Sequence, residues 1–180
     1  DVKRELIGRF HALGHTHDLL SQTGWSEAPL RDVVMAEMAP HATGGGANVT
    51  VDGPPVMLKP QAALLFSLVV HELSTNAAKY GALSVADGRI SVAWTIVGDR
   101  PTRLDFNWVE QGGPHIDHLP RRGFGSELIE RGIRFELQGE ATLEAVDGCL
   151  HCRIIVPADP EHLAFRSPQD RPGMEEAASC

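Results

Sequence analysis

The segment His71-Glu72-Leu73-Ser74-Thr75-Asn76-Ala77-Ala78-Lys79-Tyr80-Gly81-Ala82 sets a carboxylate, an amide and a cation inside a long apolar run that starts near Pro60. Such a run reads as a buried helix, and at about 3.6 residues per turn Glu72, Asn76 and Lys79 (i, i+4, i+7) fall on one stripe. Polar groups on an otherwise apolar helix are costly to bury unpartnered. Their types suit a metal-bound triphosphate: the Asn76 oxygen for Mg2+, Lys79 for a phosphate, Glu72 for a proton or a water. The spacing fits equally a helix whose polar edge faces solvent.

Two later segments carry related chemistry. In Trp108-Val109-Glu110-Gln111-Gly112-Gly113-Pro114 a strand delivers an acid into a Gly-Gly turn. Gly112 and Gly113 let backbone approach a ligand closely, and Glu110 can accept from an exocyclic amine such as adenine offers. Alone, the segment also fits a hairpin end with an exposed acid. In Arg121-Arg122-Gly123-Phe124-Gly125-Ser126 two glycines and a serine stand at a helix start, flanked by two arginines. Backbone N–H groups there face an anion along the helix dipole, which makes a phosphate seat. A capped helix after a loop is the plainer alternative. The three segments in this order are far more specific than any one.

Other motifs fall short of their chemistry. His71-Glu72 lacks the second His of H-E-x-x-H, since position 75 is Thr. Gly44-Gly45-Gly46 is not followed by Gly-Lys-Ser/Thr and reads as a loop. Cys149 and Cys152 lie in a strand pattern that sends i and i+3 to opposite faces, with no second pair for zinc. His11, His15 and His17 lack a carboxylate or Cys partner and read as surface or interface residues.

Residues 1–21 read as an amphipathic helix with Leu6, Phe10, Leu13, His17 and Leu20 on its apolar face. Leu30 to about Pro40 is a second helix, Pro60 to Tyr80 a third that Gly81 stops, and Gly125 to about Leu137 a fourth. Asn48–Asp52 and Val56–Leu58 are short strands around Gly53-Pro54-Pro55. The period becomes two at Arg89–Val97 and Arg103–Val109, a hairpin turned by Asp99-Arg100-Pro101. Glu140–Ala145 and Leu150–Val156 form a last strand pair. From Ala158 the chain is polar and Pro-rich, a tail or linker. This predicts an α/β fold, a two-layer α/β sandwich with a mixed, mostly antiparallel sheet and helices on one face.

Composition narrows the class. The 180 residues are 42% hydrophobic, enough for the core of one domain with room for a small appendage. The net charge of −8, with no basic stripe, argues against a nucleic-acid partner. No stretch reaches the ~20 apolar residues of a membrane span, and Asp1-Val2-Lys3-Arg4-Glu5 does not read as a signal peptide. Three cysteines form no disulfide framework, so a reducing cytoplasm is the expected location.

The order H-E-L-x-T-N-A-x-K-Y-G-A, W-x-E-x-G-G-P, R-R-G-F-G-S resembles the ATP-binding half of HWE-type sensor histidine kinases over about residues 10–157. That family is named for the residues that here are His71, Trp108 and Glu110. The resemblance implies a Bergerat (GHKL) ATP-binding fold with ATP and Mg2+ as cofactors. It implies Asn76 as the Mg2+ ligand and Glu72 as base or water-positioner, with His71 beside them in the catalytic box. Lys79 and Tyr80 would face the phosphates, Glu110 the adenine amine, and Gly123, Gly125 and Ser126 the phosphates again. Residues 114–122 would form a short ATP lid, and Thr142 would come near adenine.

The family's phosphoacceptor box, H-R-x-K-N, is absent, and Arg9–Leu20 resembles the second helix of the dimerisation hairpin. The expected layout is therefore residues 1–24 as the end of that hairpin, 25–157 as the catalytic domain and 158–180 as the tail. Implied partners are an upstream dimerisation helix bearing the phosphoacceptor His, a second copy in a homodimer, and a response-regulator receiver domain. The intact protein would be cytoplasmic or membrane-linked, this segment making no membrane contact. The alternative is a regulatory module of the same fold, an anti-sigma-like Ser kinase or a degenerate nucleotide sensor. The hairpin remnant favours the sensor kinase, since switch kinases lack it. A gyrase- or Hsp90-type ATPase is disfavoured by chain length and the short lid.

Overall fold

Alternating apolar residues in β4 (Arg89–Val97) and β5 (Arg103–Gln111) become one buried face because their antiparallel register pairs Val92 with Trp108, Trp94 with Phe106 and Ile96 with Leu104. The computed structural model describes residues 2–22, 24, 26–41, 48–98, 102–116, 124–159 and 161–165. β7 (Cys149–Pro157) pairs antiparallel with β5, and β6 (Glu140–Val146) pairs antiparallel with β7. β2 (Val49–Asp52) joins the other edge parallel to β4. The five-stranded order is β2-β4-β5-β7-β6, the expected mixed, mostly antiparallel sheet.

The strand after Gly53-Pro54-Pro55 leaves this sheet. A Cβ on Gly53 would lie 2.4 Å from the Trp94 indole, and Trp94 Nε1 donates to the Pro54 carbonyl at 2.8 Å. The kink thus lies over Trp94, and β3 (Val56–Leu58) enters a second sheet between β1 (Ala28–Pro29) and β8 (Leu163–Phe165). β8 corrects the expected tail boundary at Ala158. Val56–Leu58 pairs with Phe165–Leu163 and Leu163 is buried, so ordered structure continues to Phe165. Three residues of strand are too few to carry a period in the sequence.

Helix α3 (Pro60–Lys79) starts with Pro60 at its first turn, where a missing N–H costs nothing. Phe66 meets Phe106 edge-on at 5.5 Å between ring centroids, which lays the helix on the middle of the sheet. Helices α2 (Leu30–Met38) and α4 (Phe124–Glu136) add Val33, Val34, Ile129 and Ile133 to the same core.

Helix α1 (Val2–Gln22) packs on α3 and α2, with only part of the expected face. Ala12, Thr16 and Leu20 are buried, whereas Phe10 is 65% exposed and His17 is also exposed. Of the expected face Leu20 is buried and Leu13 half-buried, while Phe10 and His17 turn outward because small residues, Gly8, Ala12 and Thr16, supply the rest of the contact. Gly8 has no room for a Cβ, which would lie 2.8 Å from His71 Nε2. The Ser67 hydroxyl, 3.1 Å from the Ala12 carbonyl and 3.0 Å from Glu37 Oε1, shares its proton between them.

Candidate functional site

The α3 stripe meets the start of α4 through Glu72. Glu72 is buried and accepts two hydrogen bonds from Arg9 of α1, from Nε at 2.6 Å and from Nη2 at 3.1 Å. A Cβ on Gly125 would fall 2.6 Å from Glu72 Oε2, so Gly125, in the first turn of α4, is seated directly on this carboxylate. One turn further, Asn76 is exposed and its side chain makes no hydrogen bond among the described residues. Lys79 and Tyr80 are exposed at the helix end. The helix start and the polar stripe, 53 residues apart between Glu72 and Gly125 (125 − 72), are thus brought together.

The Gly-Gly turn also reaches α3, by way of the turn that follows it. Glu110 lies within β5 rather than at an exposed hairpin end, and only 3% of it is exposed. Its Oε2 accepts from the Ala82 backbone N–H at 2.7 Å and its Oε1 from the Trp108 indole at 3.3 Å. Burial raises the Glu110 carboxyl above its usual 4.5, opposed by those two hydrogen bonds. A Cβ on Gly81 would lie 2.1 Å from Glu110 Oε2, and one on Gly113 2.8 Å from the Ala82 backbone. Gly112 adopts φ +68, with its absent Cβ facing Asp87. The close approach that these glycines permit is therefore taken by the protein's own Gly81-Ala82 turn. The expectation sets Glu110 toward an adenine amine; here the carboxylate is buried and both oxygens face protein donors.

His71 points elsewhere. Its Nδ1 lies 3.2 Å from Glu37 Oε2 of α2, beneath Gly8 of α1. Glu37 is buried and also receives Ser67, so His71 belongs to a polar network that fastens α1 and α2 to α3. His41 stands at its edge, its pKa lowered by burial and by the His71 charge, against a smaller pull from Glu37. The expected place of His71 is beside Glu72 and Asn76 in the catalytic box; its side chain turns toward Glu37 instead, since adjacent helical positions differ by about 100°.

Thr142 is a second displaced residue. It pairs in register with Arg153, which pairs with Asn107, and these side chains line the sheet face away from the helices. Glu110 and Trp108 lie on the other face, so the structure does not bring Thr142 to the site. Arg121, Arg122 and Gly123 lie outside the described residues, as does most of the expected lid. Phe124 opens α4, and Gly125 and Ser126 are half-buried behind it. Of the lid's first residues, Ile116 donates its backbone N–H to the Gly148 carbonyl at 2.9 Å. Burial pushes the Cys152 thiol up to about 12, and Cys149 is half-buried. Among the described residues no group of three or more His, Cys, Asp or Glu could hold a metal.

Sequence reasoning missed Arg9, Glu37 and Ala82. Ala82 acts through its backbone, which no side chain announces. Arg9 carried one signal: it follows Gly8, the first of the small residues on the buried stripe.

The HWE histidine kinase family model matches residues 1–55. The blue-light-activated histidine kinase of Brucella ovis is 30% identical over 154 residues, covering 85% of this chain and 32% of the relative. That of Brucella anthropi is 30% identical over 152 residues, covering 83% and 30%. The chain thus spans about a third of the length of these curated relatives. Among solved structures, the histidine kinase domain from the Erythrobacter litoralis EL346 blue-light activated histidine kinase superposes with a TM-score of 0.64 at 19% identity, over 87% of this chain and 76% of that one. The histidine kinase domain of the E. coli osmosensor EnvZ gives 0.51 at 19% identity, over 79% and 92%. Both share the fold of this chain. The motif order, the helix-on-sheet architecture that joins the motifs and these likenesses agree: the chain is similar to HWE histidine kinases in sequence and shares the fold of histidine kinase domains.

Proposed function

We propose that this chain is the ATP-binding catalytic domain of a sensor histidine kinase, preceded by the end of its dimerisation helix. The observation that carries the reading is the seating of Gly125, at the start of α4, on Glu72 of α3, with Asn76 and Lys79 exposed on the same helix. A helix start beside a free amide and a cation is what a magnesium-bound triphosphate requires.

The residues present fit the pair ATP and Mg2+. Mg2+ takes oxygen ligands, commonly one or two from protein and the rest from water and phosphate. Asn76, exposed on α3, offers one such oxygen. When bound, the ion neutralises phosphate charge. Phosphoryl transfer is largely positioning and charge neutralisation. In this reading Lys79 offers a cation to the phosphates and the backbone N–H groups at Gly125 and Ser126 orient them. Glu72 positions the incoming nucleophile or a water. Glu110 shapes the adenine side from below, by holding the Gly81-Ala82 turn against Gly113. Arg121, Arg122 and Gly123 would complete the phosphate seat.

The acceptor of the γ-phosphoryl group would be a His on an upstream dimerisation helix, and a receiver-domain Asp of a response regulator would take it next. A homodimer and a cytoplasmic site of action belong to the same proposal. No described helix is long and apolar enough to cross a membrane.

Calorimetry of Mg-ATP on the 180-residue chain tests this. The chain binds, and Asn76→Ala abolishes binding with an unchanged circular dichroism spectrum. Retained tight binding by that variant overturns the role of Asn76. A folded wild-type chain that binds no Mg-ATP overturns the whole reading.

A further inference from the structure

Glu72 is the one member of the polar stripe that is buried, and its partner comes from outside the α/β layers. Arg9, on α1, grips it with two nitrogens at 2.6 and 3.1 Å across 63 residues of sequence. Both side chains are mostly withdrawn from solvent, at 18% and 11% exposure. The fork is the strong, directional form of the arginine–carboxylate pair. The same Glu72 oxygen that takes the longer bond faces the place where a Cβ on Gly125 would stand. Arg9 therefore fixes the carboxylate against the helix start that is to receive phosphates.

We propose that Arg9 is a positioning residue for the nucleotide site, acting through Glu72; this rests on the ATP reading above. A carboxylate beside a phosphate seat repels a triphosphate unless a cation compensates it, and a buried one repels more strongly than a solvated one. Arg9 compensates the charge and holds the carboxylate in one orientation. The cation belongs to α1, not to the domain that binds the nucleotide. Rotating α1 by one residue would turn Arg9 through about 100° and break the fork. The seat of α1 is itself set by the Gly8–His71 approach and the Ser67–Ala12 hydrogen bond. Nucleotide affinity and the placement of α1 are thereby linked, and linkage runs both ways.

A double-mutant cycle on the full 180-residue chain tests this, with Mg-ATP as the probe, calorimetric Kd as the readout and thermal melting beside it. Arg9→Met keeps the aliphatic stem and removes the charge. Alone it weakens Mg-ATP binding on the order of tenfold, and in a Glu72→Gln background by less than about twofold, since the charge it compensated is gone. Arg9→Lys keeps a cation but not the fork, and loses about threefold with Glu72 present and nothing with Gln. Should Arg9→Met fail to fold, the Lys cycle decides by itself. A merely structural Arg9 would lower the melting temperature and weaken binding equally in both backgrounds, and that result overturns the proposal. So does unchanged affinity in Arg9→Met while the wild-type chain binds. No binding by the wild-type chain overturns the ATP reading first and this inference with it.

Discussion

Glu110, near the end of β5, accepts a 2.7 Å hydrogen bond from the backbone N–H of Ala82, 28 residues away. Its other oxygen faces the Trp108 indole at 3.3 Å. The W-x-E pair is thus a clamp: it ties the turn after α3 to the sheet and leaves that turn packed against Gly113.

Removing the clamp should cost stability before it costs anything else. Glu110→Ala leaves two N–H groups, those of Ala82 and the Trp108 indole, facing a void, a loss of about 3 kcal/mol. Denaturant unfolding monitored by tryptophan fluorescence would show it. Glu110→Gln adds a pH signature. Burial raises the Glu110 carboxyl above 4.5, so the folded state holds its proton more tightly than the unfolded state does. That contribution is present below 4.5 and is lost as pH rises through the folded value. The glutamine lacks this dependence, so the stability advantage of the wild type over Glu110→Gln should shrink as pH rises from 4.5. A gap that widens instead would mean that the hydrogen bonds outweigh the burial.

Two glycines offer opposite outcomes for one substitution. A Cβ on Gly88 would lie 1.7 Å from the Ala82 carbonyl oxygen, a backbone atom that cannot yield without moving the turn. Gly88→Ala should destabilise by about 3 kcal/mol or more. Gly14, exposed within α1, has nothing within 4 Å of its would-be Cβ. Gly14→Ala should stabilise by about 0.8 kcal/mol through helix propensity alone. Equal effects at the two sites in melting experiments would contradict the geometry of the Ala82 turn.

Asn76 and Thr142 separate the two faces of the sheet. Asn76 stands with α3 on the helix side, whereas the register of β6 with β7 turns Thr142 to the opposite face beside Arg153. Calorimetry should show Mg-ATP binding lost in Asn76→Ala and unchanged in Thr142→Ala. Weakened binding in the Thr142 variant would require a nucleotide contact that the register of these strands does not provide.

Periodicity alone determined much of this molecule. The period of two in Arg89–Val97 and Arg103–Val109 specified which side chains are buried, because a strand alternates faces whatever it pairs with. The apolar run from Pro60 specified α3, and the spacing of Glu72, Asn76 and Lys79 put them on one edge of it. The glycine-rich helix start read correctly as the opening of α4, to within a residue.

Tertiary structure decided what each polar group touches. Whether Glu110 meets a ligand or Ala82 depends on where the turn after α3 lands, and that turn is held through backbone atoms common to every sequence. The face taken by Thr142 depends on strand register, where a slip of one residue reverses every side chain. The buried face of α1 depends on small residues whose value lies in what they leave out, so hydrophobic counting passes over Gly8. The pairing of Arg9 with Glu72 depends on two helices meeting across 63 residues. Spacing within one element follows from local geometry, but contact between elements follows from packing, which no single stretch of sequence contains.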